Sequence, residues 1–418
     1  MKESDMLKIN ENRLLQNITE LSLIGKDPEG GITRPAFSPP DMMAREWLID
    51  RIQKAGLQCD VDGAGNIFAT VIPADAAAAD KPAVMCGSHI DTVPNGGALD
   101  GALGVLTGLE ALQVIKEEKV ALARPLKMVA FSDEEGRFGE MIGSRAFSGQ
   151  LDPDHLTSLS DVHGVLLADA MRDSGYNIND VASAKASADA YEAFVELHIE
   201  QGPVLERKGI SVGVVDAIVG LFKWQIDLYG QANHAGTTPM NMRRDAFYGG
   251  VKFADKVRDL VKEHGGADTV ATIGKFNLYP GAPNVVPGHC RFFIEARDRN
   301  KDTLDHLKRV FKDHLKRCAE DEHLTYDVTV LEDMTPVQCD PQIMDVIESC
   351  AAEADVSSLR MFSGAAHDAQ NMAALAKVGM IFVPSIGGIS HNPSECTEDD
   401  DIVAGATVMA NTLARLVS

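Results

Sequence analysis

The sequence predicts an α/β fold built on a mixed, mostly parallel sheet and interrupted by an inserted α+β unit. Strand-like and helix-like segments alternate up to about Gly213, the texture changes there, and the first pattern resumes after about residue 330. A chain of 418 residues also exceeds what one hydrophobic core usually serves. The expected organisation is therefore a discontinuous domain of residues 1–213 and 331–418, with residues 214–330 as the insertion.

From Pro39 to Leu57, Met42, Met43, Trp47, Leu48 and Ile52 recur at helical spacing. Short strands follow around Asp60 and Phe68, separated by the turn Gly63-Ala64-Gly65-Asn66. Residues 73–82, with their alanine tract, read as a surface loop. Ala83–Gly87 is a buried-type strand, Gly101–Lys119 a helix and Leu126–Phe131 a second apolar strand, with another helical stretch after it. In the insertion the order is strand (222–229), helix (243–264), strands (270–278 and 290–298), helix (302–323) and strand (325–331), a ferredoxin-like arrangement of about 115 residues. The α/β pattern then returns with a helix over Pro341–Ala354, capped by Asp340 and started by Pro341. A strand at Met380–Pro384 and a helix from about Asp400 complete it. Internal repeats are absent.

Composition narrows the function classes. With 62 acidic against 39 basic residues the net charge is -23, and no polybasic run exists to displace nucleic-acid counterions. The seven cysteines show no CxxC spacing, which disfavours a disulfide framework or a thiolate zinc site. Residues 1–15 lack the apolar core of a signal peptide, and no apolar run approaches the roughly 18 residues that span a bilayer. A cytoplasmic globular enzyme is expected, without nucleic-acid or membrane partners.

Five residues able to bind hard cations stand at or just beyond predicted strand ends, where α/β sheets place their ligands. His89 ends the strand of Ser88-His89-Ile90-Asp91, and Asp91 is positioned to orient its ring. Asp100 closes a glycine-rich turn before a helix; as an N-cap it would be ordinary, but an acid there can also bridge two cations. The run Asp133-Glu134-Glu135 follows Phe131, and three adjacent acids repel one another unless cations neutralise them. His198 ends an apolar run, and His391 follows the strand Met380–Pro384 and a Gly387-Gly388 loop. Each alone is more often structural than a ligand, and it is their shared placement at strand ends that points to a metal site. Mixed histidine and carboxylate ligation suits zinc, and also manganese, cobalt or nickel.

The ordered motifs SHID, GGALDG, DEEG, HIEQGP, NHAGTTPM, PNVVPG and SHNPSE resemble those of the M20-type metallo-amidohydrolases. Within that family they look like the branch of N-carbamoyl-L-amino-acid hydrolases, β-ureidopropionases and allantoate amidohydrolases. The resemblance implies one divalent ion on His89, Asp100 and His198 and a second on Asp100, Glu135 and His391. It makes Glu134 the general acid/base and places Gln201 on the substrate. His198 stands where peptidases of the superfamily typically carry a carboxylate. The insertion would be a lid and dimerisation domain. There His234 polarises the scissile carbonyl, often across a homodimer, while Asn284 and Arg297 hold the substrate carboxylate; lid closure would assemble the site. The implied reaction is hydrolysis of an N-carbamoyl amino acid to amino acid, ammonia and carbon dioxide, with allantoate or N-carbamoyl-β-alanine as alternatives and a dipeptidase or aminoacylase more distant. Two departures stand out. Ala366, before His367 and Asp368, replaces an expected glycine and should tighten its loop, and Gly136 runs directly into Arg137-Phe138-Gly139 beside the substrate pocket.

Overall fold

The computed structural model describes residues 6–152 and 156–418; residues 1–5, where the segment read above for a leader begins, lie outside the described residues. Contacts divide the chain into a unit that runs to Asp216 and resumes at Cys339, and a second unit, Ala217–Gln338.

The first unit opens with helices α1 (Glu11–Ser22) and α2 (Pro39–Lys54) and the strands β1 (Gln58–Val61) and β2 (Ile67–Val71). The alanine tract, expected as loop, forms one helical turn, Ala76–Ala79, because the Asp75 side chain accepts the Ala78 N–H. Next come β3 (Ala83–His89), α3 (Ala102–Glu117), β4 (Leu126–Phe131), β5 (Tyr191–Ile199) and β6 (Val212–Ile218). Helix α3 is buried from Ala102 to Ile115. A helix apolar on all sides belongs inside a protein, and glycines at 104 and 108 let this one press onto the sheet backbone and side chains.

The second unit contains β7 (Gly220–Tyr229), β8 (Asn233–His234), α4 (Ala246–His264), β9 (Val270–Tyr279), β10 (Val285–Val286), β11 (His289–Asp298), α5 (Lys301–Asp321), β12 (Thr325–Met334) and β13 (Val337–Gln338). Its four-stranded sheet is antiparallel in the order β12-β7-β11-β9. Alternate residues Phe222, Trp224, Ile226 and Leu228, with Phe292 and Ile294, share one core with Phe253 and Phe311 of the two helices. The unit ends later than the sequence suggests because β12 runs on to Met334 and β13 pairs Val337 and Gln338 with Ile218 and Ala217.

The chain then forms α6 (Pro341–Glu353), β14 (Ser358–Ser363), β15 (Lys377–Val383) and α7 (Asp399–Leu416). The sheet of the first unit runs β1-β2-β4-β3-β5-β15-β6, with β14 also on β6. Its centre, β4-β3-β5-β15, is parallel, while β1, β2 and β6 pair antiparallel. The mixed, largely parallel sheet expected from the sequence is thus present. Among the described residues no helix is long and apolar enough to cross a membrane.

Candidate metal centre

The four parallel strands end on one side, and the segments leaving them carry the candidate residues. His89 is the last residue of β3, His198 the last but one of β5. The acidic run follows β4, and His391 lies in the loop after β15. The structure brings these residues into two groups that share one carboxylate. Ligand atoms of His89, Asp100 and His198 lie within 4.8 Å of one another, and so do those of Asp100, Glu135 and His391. The two oxygens of Asp100 divide the work: Oδ1 lies 3.2 Å from His198 Nε2 and 3.8 Å from His89 Nε2. Oδ2 lies 3.2 Å from His391 Nε2, which is 3.4 Å from Glu135 Oε2.

These groups fit divalent cations on three counts. Bonds of about 2.1 Å in tetrahedral array set neighbouring ligands about 3.4 Å apart, close to the spacings found. His89 Nδ1 faces the Asp91 carbonyl oxygen at 3.1 Å and His198 Nδ1 faces that of Ile199 at 2.9 Å. Each Nδ1–H donates there, leaving the Nε2 lone pair turned toward Asp100, where that of His198 also accepts the Gly101 N–H at 3.2 Å. Finally, Glu135 Oε1 is buried with no hydrogen-bond partner, a costly state for the polypeptide alone.

Charge is correspondingly displaced. Burial opposes ionisation of Asp100, but hydrogen bonding to His198 and His391 holds its pKa well below the usual carboxylate range. Burial, reinforced by Asp100, pushes Glu135 up to about 7. The hydrogen bond to Asp100 raises His391 to about 9. Glu134 goes well above the ordinary value, chiefly through burial, with Glu135 and Asp368 adding to it against His89.

The three consecutive acids separate into three positions. Asp133, at φ +52°, is buried and accepts the N–H groups of Arg137 (2.7 Å) and Phe138 (3.1 Å), which closes the turn. Glu134 Oε2 lies 3.3 Å from His89 Nε2, and Glu135 faces His391. The Asp91 carboxylate, expected on the His89 ring, is 3.6 Å from it. It instead accepts the backbone N–H groups of Glu134 (3.4 Å) and Glu135 (3.2 Å), so one side chain ties the β3 end to the acidic turn. Arg137 reaches the Ala36 carbonyl and Asp161, and so anchors that turn from outside.

Gln201 stands at φ +56° beside the cluster, its Nε2 donating to Asp100 Oδ2 at 2.8 Å while Oε1 is buried without a partner. His367 is buried with its ring 4.5 Å from that of His198, and Ser363 Oγ lies 2.8 Å from its Nε2. Burial, reinforced by His198, lowers its pKa well below the ordinary value, so it packs as a neutral ring. Glu196 joins these two histidines in a third group, but its oxygens already accept Ser88 Oγ–H and Ala369 N–H. Asp368 is fully buried, and burial with Glu196 pushes it up to about 8. Ala366 is not among the non-glycine residues at positive φ, so the loop accepts its side chain without backbone strain.

In the second unit, His234 and Asn284 lie together. His234 pairs with Val285 in the β8–β10 ladder, and the Ala235 N–H donates to the Asn284 carbonyl. His234 Nδ1 accepts the N–H groups of Gly236 (3.0 Å) and Thr237 (3.2 Å), which leaves Nε2–H as the exposed donor. Arg297 is not brought to them. It sits eight positions along β11 from His289, about 27 Å at roughly 3.4 Å per residue, and His234 and Asn284 lie beyond the His289 end. Its Nε donates to Glu295 at 2.7 Å.

Residues 85–415 match peptidase family M20/M25/M40. The chain belongs to that family. It is 36% identical over 411 residues to an N-carbamoyl-L-amino acid amidohydrolase of Geobacillus stearothermophilus, covering 98% of this chain and 99% of the relative. It is 35% identical over 398 residues to an allantoate amidohydrolase of Escherichia coli K12, covering 95% of each. A solved amidase of the hydantoinase/carbamoylase family from Burkholderia multivorans matches with a TM-score of 0.86 at 32% identity over 98% of both chains. The protein is an M20-family amidohydrolase, and its histidine and carboxylate cluster suits a di-metal site.

Sequence reasoning missed Ser390 and Glu395. Glu395 Oε1 accepts the N–H groups of Leu99 (2.9 Å) and Asp100 (3.0 Å), and Ser390 Oγ lies 2.7 Å from Asp100 Oδ2 and 3.0 Å from Glu395 Oε2. Both lie in the quoted SHNPSE motif, and the one available signal was Gly96-Gly97. A side chain on Gly97 would collide with Glu395.

Proposed function

We propose that this enzyme hydrolyses a ureido C–N bond, converting an N-carbamoyl-L-amino acid to the amino acid, ammonia and carbon dioxide. The observation that carries the reading is the pair of three-ligand groups joined at Asp100 with Glu134 beside them. His89, Asp100 and His198 would hold one cation, and Asp100, Glu135 and His391 the other. Two such cations supply Lewis-acid polarisation of a carbonyl and a lowered pKa for an attacking water. Glu134, in neither group, takes the proton of that water on a carboxylate oxygen and returns it to the departing nitrogen. Burial raises its pKa above the ordinary carboxylate value, which favours the protonated form that returns the proton. Gln201 turns its unpartnered Oε1 to the ureido N–H groups, since its amide nitrogen is already spent on Asp100.

His234 donates Nε2–H to the developing oxyanion, and Arg297 binds the substrate carboxylate through two parallel N–H bonds. The length of β11 forbids one copy from presenting Asn284 and Arg297 to one small carboxylate. Two copies of the chain are therefore needed if both serve a single substrate, which supports a homodimer. The relative from Geobacillus supports the N-carbamoyl amino acid; the relative from Escherichia coli supports allantoate as a second reading.

The test is Glu134→Gln, which should retain the metal content and lose most turnover. Near-normal kcat would remove Glu134 from the proton-transfer role. Ammonia release from an N-carbamoyl amino acid, N-carbamoyl-β-alanine and allantoate, with free amino-acid release from a dipeptide measured beside it, after reconstitution with zinc or manganese, decides the substrate.

A further inference from the structure

The loop after β15 does more than carry His391. Glu395 is 8% exposed, and its Oε1 gathers two consecutive backbone N–H groups, those of Leu99 and Asp100. Those donors belong to the turn before α3, whose N-cap is Gly101 and which has no side-chain cap of its own. Glu395 holds that turn from almost three hundred residues away, and Gly97 leaves the room it needs. Its other oxygen faces Ser390 Oγ at 3.0 Å, and Ser390 Oγ also faces Asp100 Oδ2 at 2.7 Å.

A hydroxyl has one proton, so Ser390 can donate to one of these two carboxylates at a time. We propose that Glu395 is a positioning residue that draws the Ser390 proton away from Asp100 Oδ2, leaving the cation of the Asp100–Glu135–His391 group to share that oxygen with the Gln201 Nε2 donor (2.8 Å) and not with the hydroxyl as well. Without a cation the hydroxyl donates to Asp100; with one, it turns to Glu395. The inference rests on the two-cation reading above, and it assigns this device to one of the two groups. Oδ1 faces the ring nitrogens of His89 and His198 instead.

Glu395→Gln isolates the idea. The two backbone N–H groups still need an acceptor, so the new amide places its oxygen on Leu99 and Asp100 and its NH2 on Ser390. Ser390 is then obliged to donate to Asp100 Oδ2, in competition with the cation. Removing the hydroxyl with Ser390→Ala removes the competition, and a purely architectural role for Glu395 would show no such rescue.

The experiment strips the purified full-length chain of metal and titrates it with zinc against a chelator, following ions bound per chain. Wild type takes up two ions. Glu395→Gln should surrender one of them at about tenfold lower chelator concentration, the scale on which groups behind metal ligands act, while Ser390→Ala and the double variant stay within about threefold of wild type. Glu395→Gln matching wild type, or a double variant no better than Glu395→Gln, overturns the proposal. Should Glu395→Gln fail to fold, Ser390→Ala alone decides: a loss beyond about tenfold is incompatible with the hydroxyl acting as a competitor. Wild type binding fewer than two ions would refute the two-cation reading itself, and this proposal with it.

Discussion

Alanine at Gly101 should disable one of the two cation groups without replacing any ligand. Gly101 adopts φ +63°, ψ -48°, a conformation that a side chain makes costly by about 1–3 kcal/mol. Its Cβ would also fall well under 3.0 Å from Nε2, Cε1 and Cδ2 of His89. The ring is 2% exposed and cannot swing into solvent, so it must retreat within its pocket by roughly 1 Å. His89 Nε2 already stands 3.8 Å from Asp100 Oδ1, the widest of the spacings to Asp100. Two ligands of one cation can span at most about 4.2 Å, twice a bond of about 2.1 Å, and the retreat exceeds that limit. Metal analysis should find one ion fewer per chain, and turnover should fall about a hundredfold, the usual effect of a 1 Å misplacement. Denaturant unfolding of the metal-free protein should report the strain separately. Full metal content with near-normal turnover in a folded Gly101→Ala protein would refute the reasoning.

Metal uptake should tighten as pH rises from about 6 to 9, because Glu135 (about 7) and His391 (about 9) must both give up protons to bind. The metal-free fold responds in the opposite sense. The raised His391 pKa contributes stability that is complete below its ordinary 6.5 and lost through about 9, and the Glu135 contribution is likewise lost through about 7. Chelator competition and thermal unfolding across that range check both, and uptake that is flat with pH contradicts the ligand assignment. Asp91→Ala leaves the Glu134 and Glu135 N–H groups without their acceptor and should weaken metal binding by about 10–100-fold, as measured by calorimetry. Arg45→Met strands the buried Asp41 carboxylate and should cost about 3–5 kcal/mol in denaturant unfolding, while adding Asp41→Leu should recover much of it.

What could be read from the sequence follows from which physical signals are local. An apolar run ending in a histidine, as at Val84–His89 and Phe194–His198, announces a strand and the end at which it offers a ligand. Asp100 and the acidic run could be located because glycine turns and a preceding strand frame them. Glu395 carries no such mark. It is a charged residue in a polar loop, and its burial depends on Gly97 and α3, remote in the chain. The role of Asp133 was hidden for a similar reason, since only the folded turn shows that it spends itself on Arg137 and Phe138. The strand of Arg297 was readable to within a residue. That Asn284 lies beyond its far end was not, because this depends on the pairing of β8 with β10.

The sharing of Asp100 joins residues from both sides of the inserted unit. His89, Asp100 and His198 all precede the second unit, so one group is complete in chain order before Ala217–Gln338 is made. The other waits for His391, translated after that unit, as are Ser390 and Glu395. One group thus closes within the first two hundred residues and the other spans the inserted unit, so Asp100 is the point at which the two halves of the discontinuous domain meet.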